Sequence, residues 1–407
     1  MDKEELSVEL KKHYVRYILM TSLAVGAGTA QALTDAEQLG KSIFFDTNLS
    51  INNNQSCAVC HGPEAGWTGP LPDINAGGAV YEGSIPNRFG NRKPPSAAYA
   101  TLSPIFYYDT SEGIFVGGNF WDGRATGEML GNPAADQALG PFLNPVEQNN
   151  ASKKAVLEQI EAAEYAPLWV DVWGEPVSYE TDADIEMNYD RVGLAIAAYE
   201  GSVEVNQFSS KYDAYLVGEA ELTDEEAWGL ELFNGEGNCA ACHPSQPDGG
   251  MPPLFTDFTY DNVGGPKNPD NPFYGMDDVY LEDGSAINPD GAGWIDMGLG
   301  GFLETVPALA SFAAENMGKY KVPTLRNVGL KPGNGYPKAY THNGYFKTLK
   351  DIVHFYNTRD VEDWPPPEVA DNVNAEELGD LGLTDEEEDA IVAFLLTLSD
   401  GYEPKAK

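Results

Sequence analysis

The chain has 407 residues, enough for two or three domains with cores of their own, and its apolar and charged fractions are those of an ordinary globular protein. Its charge is unusual: 24 Lys and Arg stand against 64 Asp and Glu, a net −40. Such a surface repels nucleic acid, argues against a basic phosphate-binding patch, and suits either a basic partner or simple solubility.

From the N-terminus, the first feature is a leader. Residues 11–16 (KKHYVR) form a basic region, residues 17–28 a short apolar stretch, and Ala30-Gln31-Ala32 a small-residue cleavage site. The apolar stretch is too short to cross a bilayer comfortably. Residues 1–32 therefore read as a signal peptide, with an uncleaved anchor as the alternative. The mature chain reads as periplasmic, with no integral membrane span.

Leu33-Thr34-Asp35-Ala36-Glu37 opens an N-capped helix that ends at Ile43-Phe44. Cys57-Ala58-Val59-Cys60-His61 follows. The pattern returns: Leu222-Thr223-Asp224-Glu225-Glu226 opens a helix ending at Leu232-Phe233, ahead of Cys239-Ala240-Ala241-Cys242-His243. Four cysteines in an exported chain suggest two disulfides. Cys-x-x-Cys-His, however, is the attachment motif of c-type haem. Its thiols reach the two vinyl groups of one porphyrin, and the next residue sets an imidazole under the iron. A thioredoxin-like pair or a zinc site accounts less well for a histidine placed there twice. Two covalently bound haem c groups are expected, with His61 and His243 as proximal ligands. An apolar helix lies far downstream of each motif, at Val192–Tyr199 and Ile391–Leu398. The expected fold is mainly α: residues 33–210 and 211–407 form two tandem cytochrome c-like haem domains, with long Gly/Pro/Asn-rich loops and little sheet.

Asn119-Phe120-Trp121-Asp122-Gly123-Arg124 and then Gln137-x-x-x-Pro141-x-x-Asn144-Pro145-x-Glu147 follow the first motif, and YKVPTLRNVGL (320–330) precedes a His-Asn-Gly turn at 342–344. With the two haem motifs, these pieces resemble the bacterial di-haem cytochrome c peroxidase and MauG family over nearly the whole mature chain. The resemblance implies that Trp121 lies between the haems and carries electrons or holes. It implies that Gln137 and Glu147 line the distal pocket of the first, peroxidatic haem. There a carboxylate moves a proton between the oxygens of bound hydrogen peroxide, and the amide holds the peroxide or a water. The run from Trp121 to Gln137 is longer than the family's usual spacing. No histidine lies between His61 and His243, so the loop histidine that caps the peroxidatic iron in many family members is missing. The first haem is expected to keep an open position.

Thr348-Leu349-Lys350-Asp351 is a capping box, so a helix starts after Thr348. On it Leu349, Ile352, Val353 and Tyr356 share one face, and His354 points to the other side. The peroxidase branch of the family has a Met at this helix position as ligand to the second iron, whereas the MauG/MbnH-like branch has a Tyr. Tyr356 matches the second pattern. A hard, anionic phenolate favours oxidised iron, where a thioether favours ferrous iron. The competing reading packs Tyr356 in the core and gives the iron to Met317 or His342; His342 is otherwise expected to order a haem propionate or its loop. The resemblance also implies calcium between the haems, held by an Asn side chain, here Asn91, and by two carbonyls, here those of Pro337 and Ala339.

Three functions compete. In the first, hydrogen peroxide drives oxidation of a side chain on a partner protein, in the MauG/MbnH manner. In the second, a cytochrome c peroxidase reduces hydrogen peroxide with electrons from a small cytochrome. The third is plain electron transfer.

Overall fold

A computed structural model describes residues 32–404. The leader, apart from Ala32, lies outside the described residues. Ten helices of six or more residues are described: α1 (Asp35–Phe45), α2 (Pro133–Ala138), α3 (Lys153–Ala162), α4 (Ala166–Trp173), α5 (Asp182–Glu200), α6 (Lys211–Leu216), α7 (Asp224–Asn234), α8 (Gly298–Thr305), α9 (Leu349–Thr358) and α10 (Asp385–Leu396). Strand is confined to two antiparallel pairs, β1 (Tyr107–Asp109) with β2 (Ile114–Val116) and β3 (Tyr260–Asp261) with β4 (Tyr320–Lys321). The molecule is thus mainly helical, as the sequence implies. No described helix is long and apolar enough to cross a membrane.

The N-terminal signals act where the sequence puts them. Thr34, Thr223 and Thr348 each accept a hydrogen bond from the backbone three residues on, and Glu37, Glu226 and Asp351 reach back, completing capping boxes. The expected apolar segments are the last parts of longer helices. Val192–Tyr199 ends α5, which starts at a Thr181/Asp184 box, and Ile391 lies within α10, which starts at Thr384/Glu387 and stops at Leu396. Their polar N-terminal turns hid this extent from a reading based on apolar periodicity.

Two cores result. Buried residues between Leu39 and Val205 form one, around α1 and α5; those between Tyr212 and Leu398 form the other, around α7 and α10. Both helix pairs cross at a glycine. A Cβ on Gly40 would sit 1.8 Å from the Ala195 carbonyl oxygen, and one on Gly229 would sit 1.8 Å from that of Ala390. Only a missing side chain permits that approach. One turn further along, Phe44 meets Tyr199 edge-on at 5.5 Å, and Phe233 meets Phe394 at 5.1 Å. A third, smaller core joins Phe106 and Phe115 to Tyr260, Leu299 and Leu303, tying the β1–β2 hairpin to the C-terminal half.

Candidate active site

Each Cys-x-x-Cys-His segment turns a histidine into a cavity. The His61 and His243 amides donate to the carbonyls of Cys57 and Cys239, both at 2.9 Å. Nδ1 of His61 lies 3.3 Å from the Trp67 carbonyl, and Nδ1 of His243 lies 2.7 Å from that of Phe255. A carbonyl only accepts, so Nδ1 carries the hydrogen and the Nε2 lone pair is left free. Burial pushes both imidazoles down to about 4, keeping them neutral at physiological pH. Such a carbonyl-oriented imidazole is how proteins present histidine to a metal. All four cysteines are free thiols. These donors fit haem c: Cys57, Cys60 and His61 would hold one porphyrin, and Cys239, Cys242 and His243 the other.

The first cavity, about 190 Å³, is lined by His61, Trp121, Arg124, Gln137, Asn144 and Glu147 among others. Gln137 and Glu147 thus meet in the space that His61 enters. Gln137 comes from α2, and Glu147 from the turn after Pro145. Asn144 Nδ2 donates to Glu147 Oε2 at 2.7 Å, fixing its orientation. Burial raises the Glu147 carboxyl above its ordinary range, against the opposing pull of Asn144 and Arg124. Among the described residues no second histidine and no methionine lines this cavity. Of its two tyrosines, Tyr81 is hydrogen-bonded through its hydroxyl to the Leu71 amide and Tyr99 donates to Asp400. Glu200, which the motifs do not mark, also lines it. Burial without a hydrogen-bond partner among the described residues pushes it up to about 8.

The second cavity, about 230 Å³, is lined by Cys239, Cys242, His243 and the α9 face: Leu349, Ile352, Val353 and Tyr356. The 3.6-residue period chose that face correctly. His354 instead bonds Glu388 at 2.9 Å and Glu362 at 3.2 Å on the outside. Met317 lines neither cavity and packs with the third core. His342 does line the second cavity. It is buried, stacked on Tyr320 at 3.5 Å, with Nε2 3.6 Å from Glu368 Oε2.

Trp121 lines both cavities. It is 8 % exposed, and its indole N–H donates to the Lys93 carbonyl at 2.8 Å. Its own carbonyl accepts from the Lys321 amide of β4 at 2.9 Å, which seats the residue against the C-terminal half. Beside it runs an ion-pair chain, buried except at Arg124, that the motifs do not reveal. Arg92 bridges Asp122 and Asp296, each at 2.6 Å, and Arg124 closes on Asp122 at 2.7 Å. Asp122 and Arg124 stand in the Trp121 motif, but the partner Asp296 is 204 residues from Arg92, beyond any local signal.

The residues expected to hold calcium do not fit it. Asn91 lines the first cavity and Ala339 the second. The Pro337 carbonyl accepts from Asn75 at 3.2 Å. Lys338, between Pro337 and Ala339, is itself buried, and so is Lys93. Calcium takes six to eight oxygens, usually with carboxylates among them; this region offers ammonium groups.

The comparisons agree with this geometry. A family model described as di-haem cytochrome c peroxidase matches residues 34–221. The methylamine utilization protein MauG of Paracoccus denitrificans is 34 % identical over 96 % of this chain and 97 % of its own. The cytochrome-c peroxidase IdrP2 of Denitromonas iodatirespirans is 27 % identical over 92 % and 86 %. Among solved structures, the diheme peroxidase BthA of Burkholderia thailandensis superposes with a TM-score of 0.74 at 30 % identity, covering 93 % of this chain and 89 % of that one.

Proposed function

This chain belongs to the di-haem cytochrome c peroxidase/MauG family, a family of peroxide-dependent di-haem oxidoreductases, and from that premise we propose that it uses hydrogen peroxide to oxidise a side chain of a partner protein. A haem c supplies a redox-active iron able to cleave peroxide and hold oxidising equivalents. The rest falls to this chain's residues. Glu147, raised by burial and held by Asn144, takes the proton from one peroxide oxygen and returns it to the other as the O–O bond breaks. The Gln137 amide orients the peroxide. Peroxide leaves as two waters after gaining two electrons and two protons, and the partner's side chain supplies the electrons. Trp121, lining both cavities, is the relay between them. Tyr356, on the α9 face of the second cavity, would offer its phenol oxygen to the second haem iron. The protein acts in the periplasm, behind the 1–32 leader.

The observation that carries this reading is the pair of cavity linings. Among the described residues the first is lined by His61 with no second histidine and no methionine, and the second by Tyr356 on the helix face with no methionine. An open site that reacts while oxidised, beside a site that favours oxidised iron, suits oxidation of a partner. The net charge of −40 favours a second reading, reduction of peroxide with electrons from a basic cytochrome.

Stoichiometric peroxide added to the fully oxidised holoprotein separates the two. Spectral change in both haems without prior reduction is expected. A protein inert until one electron is supplied refutes partner oxidation in favour of the cytochrome reading. A Tyr356→Met variant should raise the potential of the second haem; an unchanged potential removes Tyr356 as ligand.

A further inference from the structure

The wall shared by the two cavities carries its own positive charge. Lys93, Pro95, Ser96, Trp121, Lys321 and Thr324 line both. Lys93 is 7 % exposed and Lys338 5 % exposed, in a chain with 64 acidic residues. Yet neither ammonium has a carboxylate partner among the described residues. Lys93 Nζ donates to Thr68 Oγ1 at 2.8 Å and to the Pro94 carbonyl at 3.0 Å. Lys338 Nζ donates to the carbonyls of Asn327 at 2.7 Å and Leu330 at 2.9 Å. An ammonium has three donors, so each keeps one N–H uncommitted. Burial alone disfavours the charged form of each, so the ammonium state calls for an anion that the neighbouring side chains do not supply. A buried cation left without a counter-charge is costly. Each haem c brings two propionate carboxylates, the class of anion that would offset it.

Lys93 also joins the parts that a bridging ion would join. Its amide donates to the His342 carbonyl of the His-Asn-Gly turn at 2.8 Å. Its carbonyl accepts the Trp121 indole, and its ammonium holds Thr68 in the loop after the first haem motif. A divalent ion here would face two buried ammonium groups of its own sign. We propose that the resident cation between the two haem cavities is the Lys93 ammonium, seconded by Lys338, and that the holoprotein neither holds nor needs calcium there. The inference rests on both cavities holding haem.

The test uses the full holoprotein, with two haems per chain established by haem assay. Metal analysis after dialysis against EGTA should find calcium far below one per chain. The absorption and EPR spectra and both midpoint potentials should be the same in EGTA and in added calcium. One tightly held calcium per chain, or a spectrum that changes on chelation, overturns the proposal. In Lys93→Met the potential of the first haem should fall, because a positive charge beside His61 is lost; Lys93→Arg should keep it near the wild-type value. An unchanged potential in Lys93→Met also overturns the proposal. Should that variant fail to load haem, the chelation result on the unaltered protein decides. A normal peroxide reaction in a calcium-dependent protein would sink this inference while leaving the proposed function standing.

Discussion

The two halves are built alike and equipped differently. Gly40 meets Ala195 as Gly229 meets Ala390, Phe44 meets Tyr199 as Phe233 meets Phe394, and each haem-motif histidine hands its Nδ1 to a carbonyl. The accepting carbonyls belong in both cases to aromatic residues with left-handed backbone, Trp67 (φ 61°) and Phe255 (φ 53°). What covers the cavity differs. The first half uses the short α2 and the turn to Glu147, which place Gln137, Asn144 and Glu147 there. The second uses the regular amphipathic α9, and places aliphatic residues and a phenol there. On the proposed function, the shared helix pair would hold a porphyrin. The reactivity of each half is set by what is laid over it.

The largest expected effect tests that division. Glu147→Gln should slow the reaction with peroxide by about 10²–10⁴-fold, the usual worth of a positioned proton carrier. It should leave the spectrum of the second haem unchanged. An equal loss in Tyr356→Phe would mean that the halves do not divide the work.

Next is a fastening at the junction of the halves. Arg326 forms a buried fork on Asp213, at 2.8 and 2.9 Å, and lies over the rings of Phe208 and Tyr99 at 4.5 and 5.0 Å. Burial alone would raise Asp213, but Arg326 and Ser210 outweigh it and hold the carboxyl below its usual range. Asp213→Asn, which leaves Arg326 buried and unpaired, should cost about 3–5 kcal/mol at neutral pH. A depressed carboxyl stabilises the fold above its unfolded value, near 3.9, and loses that effect as pH falls through the folded value. The gap in Tm between wild type and Asp213→Asn should therefore close below about pH 4. A gap that persists there assigns the loss to packing.

Gly40→Ala and Gly229→Ala probe the likeness of the halves directly. Each drives a methyl into a carbonyl oxygen, so each should destabilise its own helix pair by about 3 kcal/mol, seen as a lower Tm with haem bound. A tolerated substitution at one site would show that the two crossings are not equivalent. The smallest effects come from the caps. Thr34→Ala and Thr223→Ala remove equivalent capping boxes and should cost about 1 kcal/mol each, read by chemical denaturation.

Much of the site was legible because its signals are local. A Cys-x-x-Cys-His run brings its own histidine; a capping box needs residues three apart; the α9 face follows from a 3.6-residue period. Gln137 and Glu147 were placed in one cavity through motif resemblance, and the structure brings them together there. Lys93 was passed over, although Arg92-Lys93 is an adjacent basic pair in a chain poor in base. Its meaning lies in what surrounds it. The calcium expectation was blind to the same thing: carbonyl ligands have no sequence signature, and the two buried lysines that argue against the ion are 245 positions apart, at 93 and 338.

By itself the sequence determined the two Cys-x-x-Cys-His runs, the helices that flank them and the tyrosine-bearing face of α9. Each of these depends on side chains a few residues apart, whose geometry one helical turn imposes. Only the tertiary structure decided which groups share a cavity, that Trp121 lines both, and that Lys93 and Lys338 are buried beside them without a carboxylate partner among the described residues. Those contacts are made by loops folded across hundreds of residues, and burial, not spacing, sets their chemistry.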